Sequence, residues 1–519
     1  MKVLEISAVL IIFVLIGSEL QGADPQPTDS AQDERYVSIE GLWRCTPGTS
    51  LKFVNGVTEP VIRIDRDSNG QFTVEGYYLW NGCFYDEWPM DSTQYNDSLG
   101  TLTLTAGNGV RFTGTVDEKK QRISGMAHND EADAGPDQQL NFVRADDTLK
   151  TRLLCPLEPG VDGSILYNYR QPEQTGDGLE TASAFEFVSD SAAFYDFLAE
   201  CIGQEFGRLE SLLILKDNKL VLEEYYYGYD RTQLHNIHSC AKSVTSLLLG
   251  IALERHPEVN LDQSIFDFFP EYDSLKKAGR EDITLRHVLT MNAGLELTGI
   301  PYEMLISDDW LEYILNSPMA REPGTGFDYS DCCAILLGGV VHFLEGQHAS
   351  VYAAENLFAP LGITEYRWET RRNGLTNCSN NLFLRPRDMA KIGLLVLNDG
   401  KWGDEQIVDK EWIRESTRPK VAESDYFDYG YQWWHRSRKN RPWWREPQEP
   451  IEHEYNMALA QGIKGQYIMV VRDLNMVIVT TASDYTKDFS RTLLKIPMVV
   501  EKIVPLFNGP VERTVLPNQ

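Results

Sequence analysis

No Cys-x-x-Cys pair occurs among the eight cysteines of this 519-residue chain. Zinc ribbons and thioredoxin-like redox sites use that spacing, so neither is supported. No Gly-x-Ser-x-Gly element is present, which excludes the nucleophile elbow of the α/β-hydrolases. His453-Glu454 opens as a zinc-protease helix would, but position 457 is Met rather than His. Positive charge is scarce. Lys+Arg number 48 against 77 Asp+Glu, a formal net charge of -29. A surface that acidic repels nucleic acid and anionic membranes and argues against any phosphate-tracking role. Beyond the N-terminus no apolar run approaches the roughly 20 residues that span a bilayer, so no stable membrane anchor is expected.

The N-terminus has the pattern of a secretion signal. Lys2 precedes an apolar run from Ile6 to Ile16, followed by Gly17, Ser18, Gly22 and Ala23. Residues 1–22 are expected to be the signal and 23–35 a flexible leader, which makes the protein secreted or periplasmic. Cys45 and Cys83 fall in one region and could pair, whereas the adjacent Cys332 and Cys333 are poor candidates for a structural bridge. Asn96-Asp97-Ser98 and Asn377-Cys378-Ser379 are glycosylation sequons, meaningful in a eukaryotic secretory pathway.

From 36 to 150 the texture is all-β. Alternating runs at Val61–Ile64, Gln71–Val74, Gly100–Thr105 and Val110–Val116 are separated by Gly- and Asn-rich turns. This predicts an antiparallel meander closed as a small barrel or sandwich. Its opening Gly41-Leu42-Trp43 resembles the start of lipocalin-like barrels. Asp65-x-Asp67-x-Asn69-Gly70 begins like a calcium loop, but position twelve is Gly76 rather than Glu, so a hairpin is expected. Residues 151–185, rich in Pro, Gly and acids, are expected to be a linker, and 509–519 a tail. Between them, 186–508 predict an α+β domain: an antiparallel sheet built from both ends of the segment and flanked by helices. Its expected pieces are a helix over Ser191–Ile202, a hairpin around Asp217-Asn218-Lys219, a second hairpin over Gln466–Val471 and Met476–Thr481, and a last helix over Thr492–Val504.

The chemistry centres on His238-Ser239-Cys240-Ala241-Lys242-Ser243. Apolar residues at 244, 247, 248 and 251 predict an amphipathic helix with Ser239 at its N-terminus. Residues i and i+3 share a face, so the Lys242 amine can reach the Ser239 hydroxyl. A serine hydroxyl needs a base to become a nucleophile. A lysine serves only if its pKa is lowered. Ser-x-x-Lys alone equally describes a capping serine and a solvated lysine. His235 and His238 beside it are expected to pack rather than to act as bases. Trp433, Trp434, Trp443 and Trp444 could line a cleft or simply pack.

An ordered series of further segments accompanies the motif. Ser211-Leu212-Leu213-Ile214 and Gly228-Tyr229-Asp230 precede it. Val259-Asn260-Leu261-Asp262, Ile283-Thr284-Leu285-Arg286-His287, Leu357–Ile363, Arg387-Asp388-Met389-Ala390-Lys391 and Tyr429-Gly430-Tyr431-Gln432 follow. Together they resemble the serine β-lactamase-like, penicillin-recognising hydrolases over about 186–508, near the branch of esterases and 6-aminohexanoate-dimer hydrolases beside class C β-lactamases. The resemblance implies a serine hydrolase working through an acyl-enzyme on Ser239, with Lys242 and Tyr329 as the base pair and no metal or organic cofactor. It implies an oxyanion hole from the backbone N–H groups of Ser239 and Ile463. The family's Tyr-x-Asn motif falls on Tyr329-Ser330-Asp331. The carboxylate at 331 departs from it and would hold Lys242 charged. The Lys/His-Thr/Ser-Gly strand motif is replaced by Ala460-Gln461-Gly462, with Lys464 offset. Asp331, Gln461 and Gly462 are therefore the expected substrate contacts, and the cation that would hold a β-lactam carboxylate is lost. The expected substrate is a small ester, short amide or peptide-like amide, esters before amides, with weak or no β-lactam turnover. The alternative is an impaired scaffold acting as a binding or structural protein.

Overall fold

The alternating runs near the N-terminus become strands because each offers one apolar face every second residue. The computed structural model describes residues 41–144 and 169–508, apart from several short turns and the stretches 437–454 and 483–492. The chain divides into two units, Met1–Leu154 and Cys155–Gln519. The expected signal, leader, C-terminal tail and Trp443-Trp444 lie outside the described residues, as do the side chains of Cys45 and Cys83.

Among the described residues the first unit holds ten strands: β1 (Gly41–Cys45), β2 (Leu51–Phe53), β3 (Gly56–Arg66), β4 (Phe72–Trp80), β5 (Cys83–Trp88), β6 (Met90–Asn96), β7 (Thr101–Ala106), β8 (Val110–Val116), β9 (Arg122–Asn129) and β10 (Gln138–Arg144). They form one sheet in the order β5-β4-β3-β1-β10-β9-β8-β7-β6, with β2 on β3. Ile62 and Ile64, Leu102 and Leu104, and Leu140 and Phe142 are all buried, so alternate residues fill one inner face. Phe72 in β4 meets Tyr95 in β6 edge-on at 5.1 Å. The sheet therefore curls back toward itself as a barrel does. The Arg144 guanidinium covers the buried Trp43 ring at 4.1 Å. Arg66 pairs with Phe72 where β3 and β4 meet; residues 67–70 of the calcium-like segment lie outside the described residues.

Among the described residues the second unit is built on a nine-stranded sheet. Its strands are β11 (Glu180–Thr181), β12 (Leu209–Lys216), β13 (Lys219–Tyr225), β14 (Val421–Ala422), β15 (Asp428–Tyr429), β16 (Trp434–Arg436), β17 (Met457–Gly462), β18 (Gln466–Val471) and β19 (Met476–Ala482). The order β11-β13-β12-β19-β18-β17-β16-β15-β14 brings both ends of the segment together at the β12–β19 pair. Asp217 and Asn218, at φ 50 and 66, make the two-residue turn of the first hairpin, where positive φ at both positions matches the strand twist. The expected α+β architecture is thus present, with helices including α1 (Ser191–Ile202), α2 (Cys240–Arg255), α3 (Asp331–Glu345) and α4 (Pro386–Leu397). The final apolar segment is helical over Lys495–Asn508.

One local expectation changes. Helix α2 is not amphipathic: every residue from Cys240 to Ala252 is buried, polar ones included, so it runs through the core. The linker stretch, expected to wrap or space two domains, packs within the second unit from Tyr169 onward. Leu179 is buried, and β11 pairs in parallel with β13. The cause is a cation. Arg387 of α4 donates to Glu223 Oε1 and Oε2 at 2.7 Å each, to Thr175 Oγ1 at 2.6 Å and to the Glu173 carbonyl at 2.7 Å. A buried guanidinium needs that many acceptors, and the acidic segment supplies them.

Candidate active site

The chain enters the site through His235–Asn236 and reverses at His238, whose left-handed φ of 47 turns it into α2. Asn236 Oδ1 fixes that turn by accepting from the His238 amide at 2.9 Å. Ser239 is the N-cap residue, yet its side chain makes no capping bond. Lys242, one turn on, is 1% exposed. The reading as a capping serine with a solvated lysine is thereby excluded. Lys242 Nζ donates to Ser239 Oγ at 3.1 Å, Asp331 Oδ1 at 2.6 Å and the Ser379 carbonyl at 2.9 Å. An ammonium has three protons, and here each has an acceptor.

The third acceptor had no signal in the sequence, because Ser379 contributes its main chain. Its loop is fixed by side chains. Ser379 Oγ donates to Asn377 Oδ1 at 2.8 Å, and Asn377 Nδ2 donates to Glu369 Oε2 at 2.9 Å and Asn380 Oδ1 at 3.0 Å. Asn377, the acceptor residue of the second sequon, is fully buried.

Tyr329 and Asp331 arrive together at the start of α3. The Tyr329 ring stacks on Trp434 with centroids 5.4 Å apart and an interplanar angle of 27°. Lys242 Nζ lies 4.9 Å from the centroid of the Tyr329 ring. Phe327, Phe427 and Tyr429 complete an aromatic cluster around Trp434. Trp433 packs in the core instead. Burial alone would lower the Lys242 pKa, but the Asp331 carboxylate and the Tyr329 phenol outweigh it, and the net direction is upward. Burial raises the Tyr329 phenol, Lys242 pulls it down and Asp331 pushes it up, with the net direction also upward. The lowered lysine pKa that a resting-state base requires is thus not what this site produces.

The strand edge lies against the nucleophile turn. A Cβ on Gly462 would stand 2.5 Å from the Ile237 carbonyl oxygen and 3.2 Å from His238 Cβ. Only glycine allows that approach. Cys240 Sγ donates to the Gln466 carbonyl at 3.4 Å. Residues 462–466 therefore run alongside 237–240, and Ile463 follows directly on the contact. Gln461 is the second-to-last residue of β17, and its Oε1 meets no donor among the described residues. Lys464, at φ 66, is 8% exposed rather than solvated.

The two histidines beside the nucleophile are held differently. His235 Nδ1 pairs with Glu210 Oε2 at 3.0 Å in the core. Burial, helped by Lys464 and Lys242, holds the His238 imidazole well below its ordinary value. Cys201, Cys240, Cys332, Cys333 and Cys378 are free and buried, and burial raises each thiol, which makes them inert. Arg286 grips Asp262 through two bonds of 2.6 and 2.9 Å and donates to the Tyr431 hydroxyl at 2.7 Å, tying three of the segments together.

The β-lactamase family model matches residues 210–496. Protein flp of Staphylococcus aureus (strain MRSA252) is 24% identical over 182 residues, 31% of this chain and 35% of that protein. A provisionally assigned D-alanyl-D-alanine carboxypeptidase of Escherichia coli (strain K12) is 24% identical over 183 residues, 30% of this chain and 42% of that one. The chain thus spans about a third to two fifths of the length of these relatives. A provisionally assigned β-lactamase from Bacteroides dorei DSM 17855 shares the fold, with a TM-score of 0.50 and 17% identity over 62% of this chain and 99% of that one.

Proposed function

The chain belongs to the β-lactamase family, and on that premise we propose that it is a serine hydrolase that cleaves small esters, and amides more slowly, through an acyl-enzyme on Ser239. One observation carries the proposal: the buried Lys242 amine lies 3.1 Å from a Ser239 hydroxyl that caps nothing, beside Tyr329.

The proposed roles are as follows. Lys242 is an ammonium in the resting site and donates to Ser239 Oγ, so it orients the nucleophile rather than deprotonating it. The serine proton goes to the Tyr329 oxygen in its minor phenolate fraction, which the neighbouring ammonium sustains against burial and the Asp331 carboxylate. Oγ attacks the substrate carbonyl carbon, and the resulting oxyanion is received by the backbone N–H groups of Ser239 and Ile463. Tyr329 returns the proton to the departing alkoxide or amine. Water then attacks the acyl-enzyme by the same relay, and the acid leaves. A phenol raised by burial gives up its proton reluctantly, so good leaving groups are favoured and esters precede amides. With Ala460-Gln461-Gly462 in place of the strand motif, no side-chain cation or hydroxyl from that motif holds a β-lactam carboxylate, and β-lactam turnover is weak or nil. We place the protein outside the cytoplasm on the strength of residues 1–22, which N-terminal sequencing of the exported protein tests.

The decisive experiment is intact mass after incubation with a fluorophosphonate, on wild type and Ser239→Ala, alongside p-nitrophenol release from a short-chain ester. One adduct and turnover in the wild type, both absent in the variant, are expected. A folded wild type that neither labels nor turns over would overturn the proposal and leave a binding scaffold.

A further inference from the structure

We infer that the Ser239 site selects acyl donors carrying a positive charge and turns away those carrying a carboxylate. The inference rests on the hydrolase reading above and narrows its substrate class.

The Lys242–Asp331 pair has a direction. The Lys242 side chain is 1% exposed and that of Asp331 is 15% exposed. The positive end is buried under the site and the negative end is the one that solvent or substrate can reach. Asp331 Oδ1 receives the lysine at 2.6 Å. A carboxylate accepts more than one N–H, so the same group can also receive a donor from the substrate side.

The wall beside it is aromatic. Phe327, Tyr329 and Trp434 are all half-buried, and Phe327 and Tyr329 both pack against Trp434 at centroid separations of 5.9 and 5.4 Å. Aromatic faces attract cations, and Lys242 already makes that contact with Tyr329. A carboxylate next to aromatic faces is the chemistry that holds an ammonium group.

The cations of the neighbourhood are committed elsewhere. Lys242 spends its three protons on Ser239, Asp331 and Ser379. Lys464 is 8% exposed and already partnered. Arg321 is paired with Asp328 at 2.6 Å. An acyl group ending in a carboxylate would meet Asp331 with no new cation to answer it. The formal net charge of -29 adds a long-range field that draws cations toward the molecule and repels anions.

The test uses the full chain and three p-nitrophenyl esters: a trimethylammonio-butyrate, its uncharged tert-butyl isostere and a glutarate half-ester. The quaternary charge does not titrate, so pH is not a variable. The expected order of kcat/KM is cationic over neutral over anionic, with about tenfold at each step at low salt. Raising salt to about 0.5 M removes the long-range part and leaves the local part. In Asp331→Asn, each rate taken relative to that variant's own neutral ester, the cationic preference shrinks at least about threefold. Should that variant be inactive, wild-type inhibition constants for matched trimethylammonio- and carboxy-alkylboronic acids carry the comparison. Turnover with a flat or reversed order, or tighter binding of the carboxy compound, overturns the charge preference and leaves the hydrolase reading intact. Failure of all three esters together with no fluorophosphonate adduct overturns both.

Discussion

Lys242 Nζ and Asp331 Oδ1 lie 2.6 Å apart, with the amine 1% exposed. The carboxylate raises two neighbours at once, since it pushes both Lys242 and Tyr329 upward. Asp331→Asn removes that push from both. The acid limb of the kcat/KM profile for a neutral ester should therefore move to lower pH, and activity at pH 7 should rise, by about tenfold for each unit the limb moves. A pH–rate profile on both proteins checks this. A fall at every pH would show that the carboxylate is needed in the chemistry.

The same pair governs alkaline stability. A lysine whose folded pKa is raised adds stability that is fully present below its unfolded value of about 10.4 and is lost as pH rises through the folded value. Denaturant midpoints of the wild type should therefore decline above that pH. Asp331→Ala strands a buried ammonium and should cost about 3–5 kcal/mol at neutral pH. A midpoint unchanged in Asp331→Ala would mean that the amine finds another acceptor.

Gly462 has space for no side chain beside the Ile237 carbonyl, since its Cβ would stand 2.5 Å from that oxygen. Both partners are main chain, so the end of β17 must move. In Gly462→Ala the Ile463 amide is carried away from the nucleophile turn, and kcat for an ester should fall about a hundredfold or more, the cost of losing one oxyanion donor. Fluorophosphonate labelling should slow in parallel while the far-UV spectrum stays unchanged. Wild-type turnover in this variant would remove Ile463 from the oxyanion hole.

Much of this was legible in the sequence where one chemical signal sufficed. The hairpin at Asp217-Asn218 and the strand Gln466–Val471 follow from turn chemistry and period-2 patterning. Ser239, Lys242, Tyr329 and Asp331 could be named because family-like spacing marks them. What escaped was of two kinds. Ser379 acts through its carbonyl, which any residue possesses. Helix α2 looked amphipathic because Ser243, Thr245 and Ser246 are polar, but each is buried. Ser243 Oγ donates to the Gln432 carbonyl and Thr245 Oγ1 to those of Ala241 and Cys378. Polar residues whose partners are distant main-chain groups read as surface until the fold supplies those partners.

Arg387 lies in a segment that resembles the family, yet its contacts are to Glu223, Thr175, Asp177 and the Glu173 carbonyl rather than to the nucleophile. Its role is to fasten residues 173–177 to α4 and β13. Arg387→Ala leaves the nearly buried Glu223 without its bidentate partner and should cost about 3–5 kcal/mol. Lysine at this position keeps the charge but not the fork, so it should recover only part of the loss. Differential scanning calorimetry reads the cost, and limited proteolysis should cut first within 169–185. Equal stability of both variants and wild type would make the cluster incidental.

The two sequons face opposite fates. Asn96 is exposed at the end of β6, and its Oδ1 accepts from Ser98 Oγ at 2.7 Å and from the Leu99 amide at 3.2 Å, bonds in which Nδ2, the glycan-bearing atom, takes no part. Asn377 is fully buried, and its Nδ2 is committed to Glu369 and Asn380. A sugar there would break the loop that presents the Ser379 carbonyl to Lys242, so folded, active protein must be bare at that position. Secreted from a eukaryotic host, the active protein should lose mass on treatment with peptide N-glycosidase, and Asn96→Gln should abolish that loss. Asn377→Gln should leave the glycan shift unchanged while lowering activity, because the longer side chain displaces Ser379 and with it one of the three acceptors that hold the Lys242 ammonium against Ser239. A glycan found on Asn377 in active protein would refute the placement of that loop.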